Sequence, residues 1–143
     1  MQLTTFTDYS LRLLLYLGTL QSNQLGNIKH IAKVYNISEN HLSKIVHELS
    51  KLGMIETIRG RNGGMRLAHQ PRQINIGFVV RQTEDLQIVE CFDYDSNTCF
   101  ISPVCQLKHV LSEALEAYLK VLDAYTLEDL LHNKETLYTL FHK

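Results

Sequence analysis

Cys91, Cys99 and Cys105 are the only cysteines of the chain, and all three fall in one short segment. Seven residues separate the first pair and five the second, a spacing that suits neither a zinc knuckle nor the ferredoxin runs. An odd number of cysteines is also a poor disulfide framework. The stretch from Glu90 to Cys99 is too polar to be core, which argues against three inert buried thiols. Metal ligation is the better account: thiolates select iron-sulfur clusters, zinc or copper(I), and wrapping a cluster needs more loop than gripping one zinc ion. A zinc-stabilised, constitutive protein stays open as an alternative.

A second constellation suits a nucleic acid. Ser38, Glu39, Asn40, His41, Ser43 and Lys44 offer hydrogen-bond donors and acceptors at the start of a helix whose apolar face is separately supplied by Leu42, Ile45, Val46 and Leu49. Such an end can enter a major groove and reach base edges. Further on, Arg59, Arg61 and Asn62 sit among glycines in a basic tip that can approach a minor groove. Lys29, Lys33, Lys44, Lys51 and Arg66 are expected to meet phosphates, giving register and salt dependence without sequence information. Glu39 is unfavourable near phosphate and is a candidate discriminator between bases.

These residues need elements to hold them. Thr7 can cap a helix from Asp8 to about Ser22, with Leu11, Leu14, Leu15 and Leu17 at helical spacing. A short helix over Ile28 to Tyr35 is broken by Asn36, and Ser38 caps a third through Leu52, stopped by Gly53. This pair reads as helix-turn-helix. Residues 54–58 and 65–67 read as strands, and Arg59 to Gly64 as the hairpin tip between them, a wing. A helix over 76–82 and an extended piece over 86–89 lead to the cysteines. Ser102 and Pro103 should start a long helix to about Ala124, whose stripe from Leu107 and Val110 to Leu122 is too long for so small a domain to cover alone. It is expected to be a subunit interface. Thr126 to Asp129 resembles a capping box for a last helix near Leu130, Leu131, Leu137 and Leu140.

The expected fold is therefore mainly α: a winged helix-turn-helix region over 1–83, a cysteine-containing loop over 84–102, and a dimerisation helix with a C-terminal helix over 103–143. Composition agrees with one folded unit, since 143 residues with 45% hydrophobic, 20% charged, 2 Pro and 7 Gly fit no disordered or fibrous class. The net charge of -1 hides a division: residues 1–83 carry +6 and residues 84–143 carry -7. A basic half suits an anionic partner. No apolar run would span a bilayer and no signal peptide is evident, so a cytoplasmic protein is expected. No nucleophile motif is recognisable, and the glycines lie in a basic hairpin and not in a strand-to-helix phosphate loop, so an enzyme is not expected.

The segment Phe6-Thr7-Asp8-Tyr9-Ser10-Leu11-Arg12, the helix-turn-helix, Arg59-Gly60-Arg61-Asn62-Gly63-Gly64-Met65 and the three cysteines together resemble the iron-sulfur winged-helix repressors containing NsrR and IscR. The likeness spans almost the whole chain, and its opening is similar to the nitric-oxide-sensing branch. It implies a homodimer with two clusters, 4Fe-4S or else 2Fe-2S, each held by Cys91, Cys99 and Cys105 of one chain and by Asp8 of the other. It further implies repression at a palindromic double-stranded operator, with release when nitric oxide reacts at the cluster. The first cysteine interval is longer than is usual in that family. His109, one turn past Cys105, is a second candidate for the fourth ligand, as in a regulator of iron-sulfur or iron homeostasis of the IscR kind. Asp8 also has a plain role available, as an acid in a first helical turn with Arg12 as its i,i+4 partner.

Overall fold

The structure, a computed structural model, describes residues 1–143. Helix α1, Thr5–Thr19, begins three residues before the expected start and ends before Ser22. Thr4 and Thr7 both offer a capping hydroxyl, and the outer one is used: Thr4 Oγ1 accepts from the Thr7 amide at 3.4 Å. That choice winds Phe6 and Thr7 into the first turn, where Thr7 is fully buried and Ser10 donates back to the Phe6 carbonyl at 2.6 Å. Leu13, Leu14, Tyr16 and Leu17 then form the centre of the core.

Helices α2 (Ile28–Tyr35) and α3 (Glu39–Lys51) make the expected helix-turn-helix. Asn27 and Ser38 cap them through the His30 and His41 amides, both at 3.1 Å. Asn36 ends α2 in the left-handed region at φ 54°, a conformation that asparagine tolerates better than most residues. Leu42, Ile45, Val46 and Leu49 face inward, so burial of roughly 1.5–3 kcal/mol per side chain fixes which face of α3 is left outside.

Strands β1 (Ile55–Ile58) and β2 (Gly64–Leu67) pair antiparallel, Ile55 opposite Leu67 and Glu56 opposite Arg66. Gly60 adopts φ 111° in the tip, where a side chain would be strained. Gly26 bridges Met65 through two backbone hydrogen bonds of 2.7 and 3.0 Å, and a Cβ there would collide with Leu17 and Ile31. The base of the wing is thereby tied to the core while its tip projects. Helix α4, Ile76–Thr83, follows.

Residues 86–89 run without helix or strand pairing, the only sheet being the two-stranded wing, and Val89 is extended. Two later expectations change. The long helix does not start at Ser102: Ser102–Val104 forms a 3-10 turn, Cys105 is extended, and α5 runs Gln106–Asp123 with the Cys105 sulfur accepting from the Lys108 amide at 3.4 Å. Pro103 thus serves the turn before the helix and not the helix itself. The Thr126–Asp129 box is present, the carboxylate accepting from the Thr126 amide at 2.8 Å, but it closes a 3-10 turn over Glu128–Leu131. Helix α6, Lys134–Phe141, comes after it and packs on α1, with Phe141 between Tyr16 of α1 and Tyr35 of α2 at ring distances of 5.0 and 5.5 Å. No helix is long and apolar enough to cross a membrane.

Candidate functional site: nucleic-acid interface and cysteine segment

The buried face of α3 leaves Ser38, Glu39, Asn40, Ser43 and Lys44 exposed on one end of the molecule. His41 is the exception on this helix. It is half-buried, its ring edge-on to Tyr9 of α1 at 5.2 Å. His47 is exposed one turn beyond Ser43 and Lys44 and was missed by reasoning from the helix start, although the i+3 and i+4 spacing signals it. On α2, Lys29 and Lys33 are exposed, and on the wing so are Arg59, Arg61 and Asn62. None of the five free cations Lys29, Lys33, Lys44, Arg59 and Arg61 is in an ion pair. Lys51 and Arg66 differ: they pair with Glu48 at 3.2 Å and Glu56 at 3.0 Å. Exposed pairs of this kind are worth at most about 1 kcal/mol, so a phosphate can compete for either cation.

Asp8 is half-buried in the first turn of α1, and Arg12 grips it with two hydrogen bonds of 3.0 and 2.8 Å. The same guanidinium lies 5.4 Å from the Tyr9 ring centre. Tyr35 donates to the Arg12 carbonyl at 2.7 Å, and burial pushes its phenol well above the usual range. Asp8 is therefore held by its own helix, next to Tyr9, the residue that touches α3.

The cysteine segment is built differently. From Glu84 to Tyr118 no side chain is buried. Its shape comes from short side-chain turns: Glu90 accepts from the Thr98 amide at 2.8 Å and its hydroxyl at 2.6 Å, and Asp93 accepts from Ser96 at 2.6 Å and from the Asp95 amide at 3.0 Å. These bonds hold both carboxyls below the usual carboxylate range. Asn97 accepts from the Cys99 amide and donates to Ser102, which donates back to the Cys99 carbonyl at 2.8 Å.

All three thiols are free, Cys91 and Cys105 half-buried and Cys99 exposed. Accessible thiols with no disulfide are a donor set suited to an iron-sulfur cluster. Within one chain, however, no three His, Cys, Asp or Glu side chains converge at metal-binding spacing, so the three cysteines and Asp8 are not gathered into one site. His109 is exposed on α5.

Glu84, between α4 and the cysteine segment, escaped the sequence analysis. Its carboxylate accepts from the Thr4 amide at 2.8 Å and the Thr4 hydroxyl at 3.1 Å, at the head of α1. Partial burial opposes its ionisation, but hydrogen bonds from Thr7, Thr4 and Asp85 outweigh that and hold the carboxyl below its ordinary value. A partner eighty positions away leaves no local signal.

On α5 the apolar stripe divides. Leu119 is buried and Leu115, Tyr118 and Leu122 are half-buried, whereas Leu107, Val110 and Val121 are 63%, 58% and 60% exposed. With the exposed Ala114 and Ala117 they recur at alternating intervals of three and four, the spacing of a helix-to-helix seam.

Residues 3–133 match the Rrf2 family, described as an iron-dependent transcriptional regulator. The HTH-type transcriptional regulator NsrR of Halalkalibacterium halodurans is 61% identical over 141 residues, covering 98% of this chain and 97% of that protein. Among solved structures, CymR (YrzC), the global cysteine regulator of B. subtilis, aligns with a TM-score of 0.73 at 28% identity, over 91% of this chain and 95% of that one. T. potens IscR aligns with the same score at 25% identity, over 93% and 88%.

Proposed function

Because this chain belongs to the Rrf2 family of iron-dependent transcriptional regulators, we propose that it is a nitric-oxide-responsive repressor, binding a palindromic operator as a homodimer whose grip depends on an iron-sulfur cluster at Cys91, Cys99 and Cys105. As a transcriptional regulator and not an enzyme, it must couple a signal to its hold on DNA. The observation that carries the reading is the loop from Glu84 to Cys105, which has three free thiols and no buried side chain and is joined directly to a well-packed winged helix. Short turns order it, and a bound group would add the order that a core supplies elsewhere.

When bound, an iron-sulfur cluster, 4Fe-4S in this reading, supplies iron to which nitric oxide can attach. The chain's own residues do the rest. Cys91, Cys99 and Cys105 would hold such a cluster through their thiolates, and Asp8 of the second copy would supply a further donor of a different kind. A carboxylate is a harder ligand than thiolate, which makes that position the easiest to exchange. Arg12 already neutralises Asp8 in the single chain, so ligation by Asp8 competes with an ion pair. The exposed seam of α5 supports pairing of two copies. Ser38, Glu39, Asn40, His41, Ser43 and Lys44 would then enter the major groove, Arg59, Arg61 and Asn62 would follow the minor groove, and Lys29 and Lys33 would meet phosphates. Two half-sites about 34–36 Å apart tolerate little change in the separation of the two recognition helices.

The test is the visible absorption spectrum of anaerobically purified protein before and after nitric oxide, with operator binding followed in the same samples. Brown, iron-containing protein that releases the operator on addition of the gas is the expected result. Colourless protein with stoichiometric zinc and gas-independent binding would overturn it, and binding that follows iron supply but ignores the gas would move the signal to iron status.

A further inference from the structure

Hydrogen bonds within residues 84–102 are mostly internal to that stretch: Glu90 with Thr98, Asp93 with Ser96, Asn97 with Cys99 and Ser102. The only ones that reach residues 1–79 are made by Glu84. This residue is the C-cap of α4, its amide donating to the Val80 carbonyl at 2.9 Å, and it stands seven positions before Cys91. Its partner Thr4 is the N-cap of α1, and the Thr4 hydroxyl lies 3.2 Å from the hydroxyl of Thr7, which is fully buried in the first turn. One turn holds Thr7, Asp8 and Tyr9, and Tyr9 touches His41 of α3. By hydrogen bonding, one carboxylate thus joins the loop to the turn that bears on the recognition helix, beside a cavity that Leu86 and Ile88 share with Met1 and Leu3.

Charge favours the joint. A carboxylate at the amino end of a helix complements the exposed N–H groups and the positive end of the dipole, and hydrogen bonds to a charged acceptor are about twice as strong as neutral ones. Both oxygens accept, Oε2 from Thr4 and Oε1 from the Asp85 amide at 3.2 Å. An amide in its place would turn an NH2 group toward one of these donors, so glutamine cannot reproduce the arrangement.

We propose that Glu84 is a positioning residue through which the order of the cysteine segment reaches α1 and α3, so that the difference in operator affinity between cluster-loaded and metal-free protein runs through this contact. The inference rests on the function proposed above. It adds a route within one chain, separate from any ligand that Asp8 provides to a second copy.

The experiment uses the full-length chain as wild type, Glu84→Gln and Glu84→Ala. Operator dissociation constants are measured for the cluster-loaded and the metal-free form of each, and amide hydrogen exchange of residues 4–9 is measured on the metal-free form. Both variants should keep the visible absorption of the loaded protein, shrink the ratio of the two dissociation constants about tenfold, and exchange residues 4–9 about tenfold faster. Unchanged ratios in both variants, with or without faster exchange, would reduce Glu84 to a helix cap and overturn the proposal. So would loss of the absorption, which would place Glu84 in cluster retention, or loss of cooperative melting in both variants. A wild-type ratio of one would instead defeat the functional reading itself, and this inference with it.

Discussion

The helix-turn-helix with its wing and the cysteine segment are neighbours in one chain, yet they are ordered by different physics. In the first, every helix is capped by a side chain and turned by a buried apolar face, with Leu42, Ile45 and Leu49 fully buried. In the second, order rests on exposed carboxylate and amide turns with no core beneath them. Apolar burial is specific and always present, whereas exposed polar turns compete with water at every position. The proposed function maps onto this contrast as a division of labour: the rigid part would present the residues that meet DNA, and the part without a core would take up the signal.

Substitutions can break that contrast or sharpen it. The largest effect is expected from Cys99→Ala, which should abolish the visible absorption and weaken operator binding by roughly 5–150-fold, the usual range of a coupling between sites. Its thermal melting should stay cooperative, because no core residue is touched; a collapsed melt would mean that the thiols belong to the folding core. Leu42→Ala should do the reverse, lowering unfolding free energy by about 2–5 kcal/mol while leaving the thiols free to titrate. A loss under about 1 kcal/mol in denaturant melts would contradict the burial. Arg59→Ala should leave both the melt and the absorption as they are and reduce the slope of log affinity against log salt by about 1, as measured by titrating operator at several ionic strengths. An unaltered slope would remove the wing tip from the interface. Val110→Asp should leave the fold of each chain intact and shift sedimentation from dimer toward monomer, since this side chain is exposed within one chain. Ser38→Ala is the smallest change, about 1 kcal/mol from the lost cap, and should be visible as faster exchange at the start of α3.

Much of the rigid part was legible because its signals are local. Asn36, Ser38 and Gly53 each mark a helix end by their own conformational preference, and the glycine-rich tip between two apolar runs marks the hairpin. The cap of α1 was misread at Thr7: Thr4 takes that place, and Thr7 lies fully buried in the first turn. The start of α5 was misjudged because Ser102 and Pro103 fit a helix start, while a cysteine, a less usual cap, takes that place. In the cysteine segment residue type pointed to metal, but the donors are not gathered within one chain, and their separation is not written in local pattern. Glu84 and the seat of Phe141 between Tyr16 and Tyr35 join distant parts of the chain and are visible only once it is folded.

The sulfur of Cys105 has two duties, as one of three thiols and as the stopper on the open end of α5. Reagents that alkylate Cys105 leave a bulkier thioether at that cap, so the first turn of α5 should loosen as well as the thiol being blocked. In far-ultraviolet dichroism blocked protein should look slightly unwound, so chemical labelling perturbs the helix and not the thiol alone.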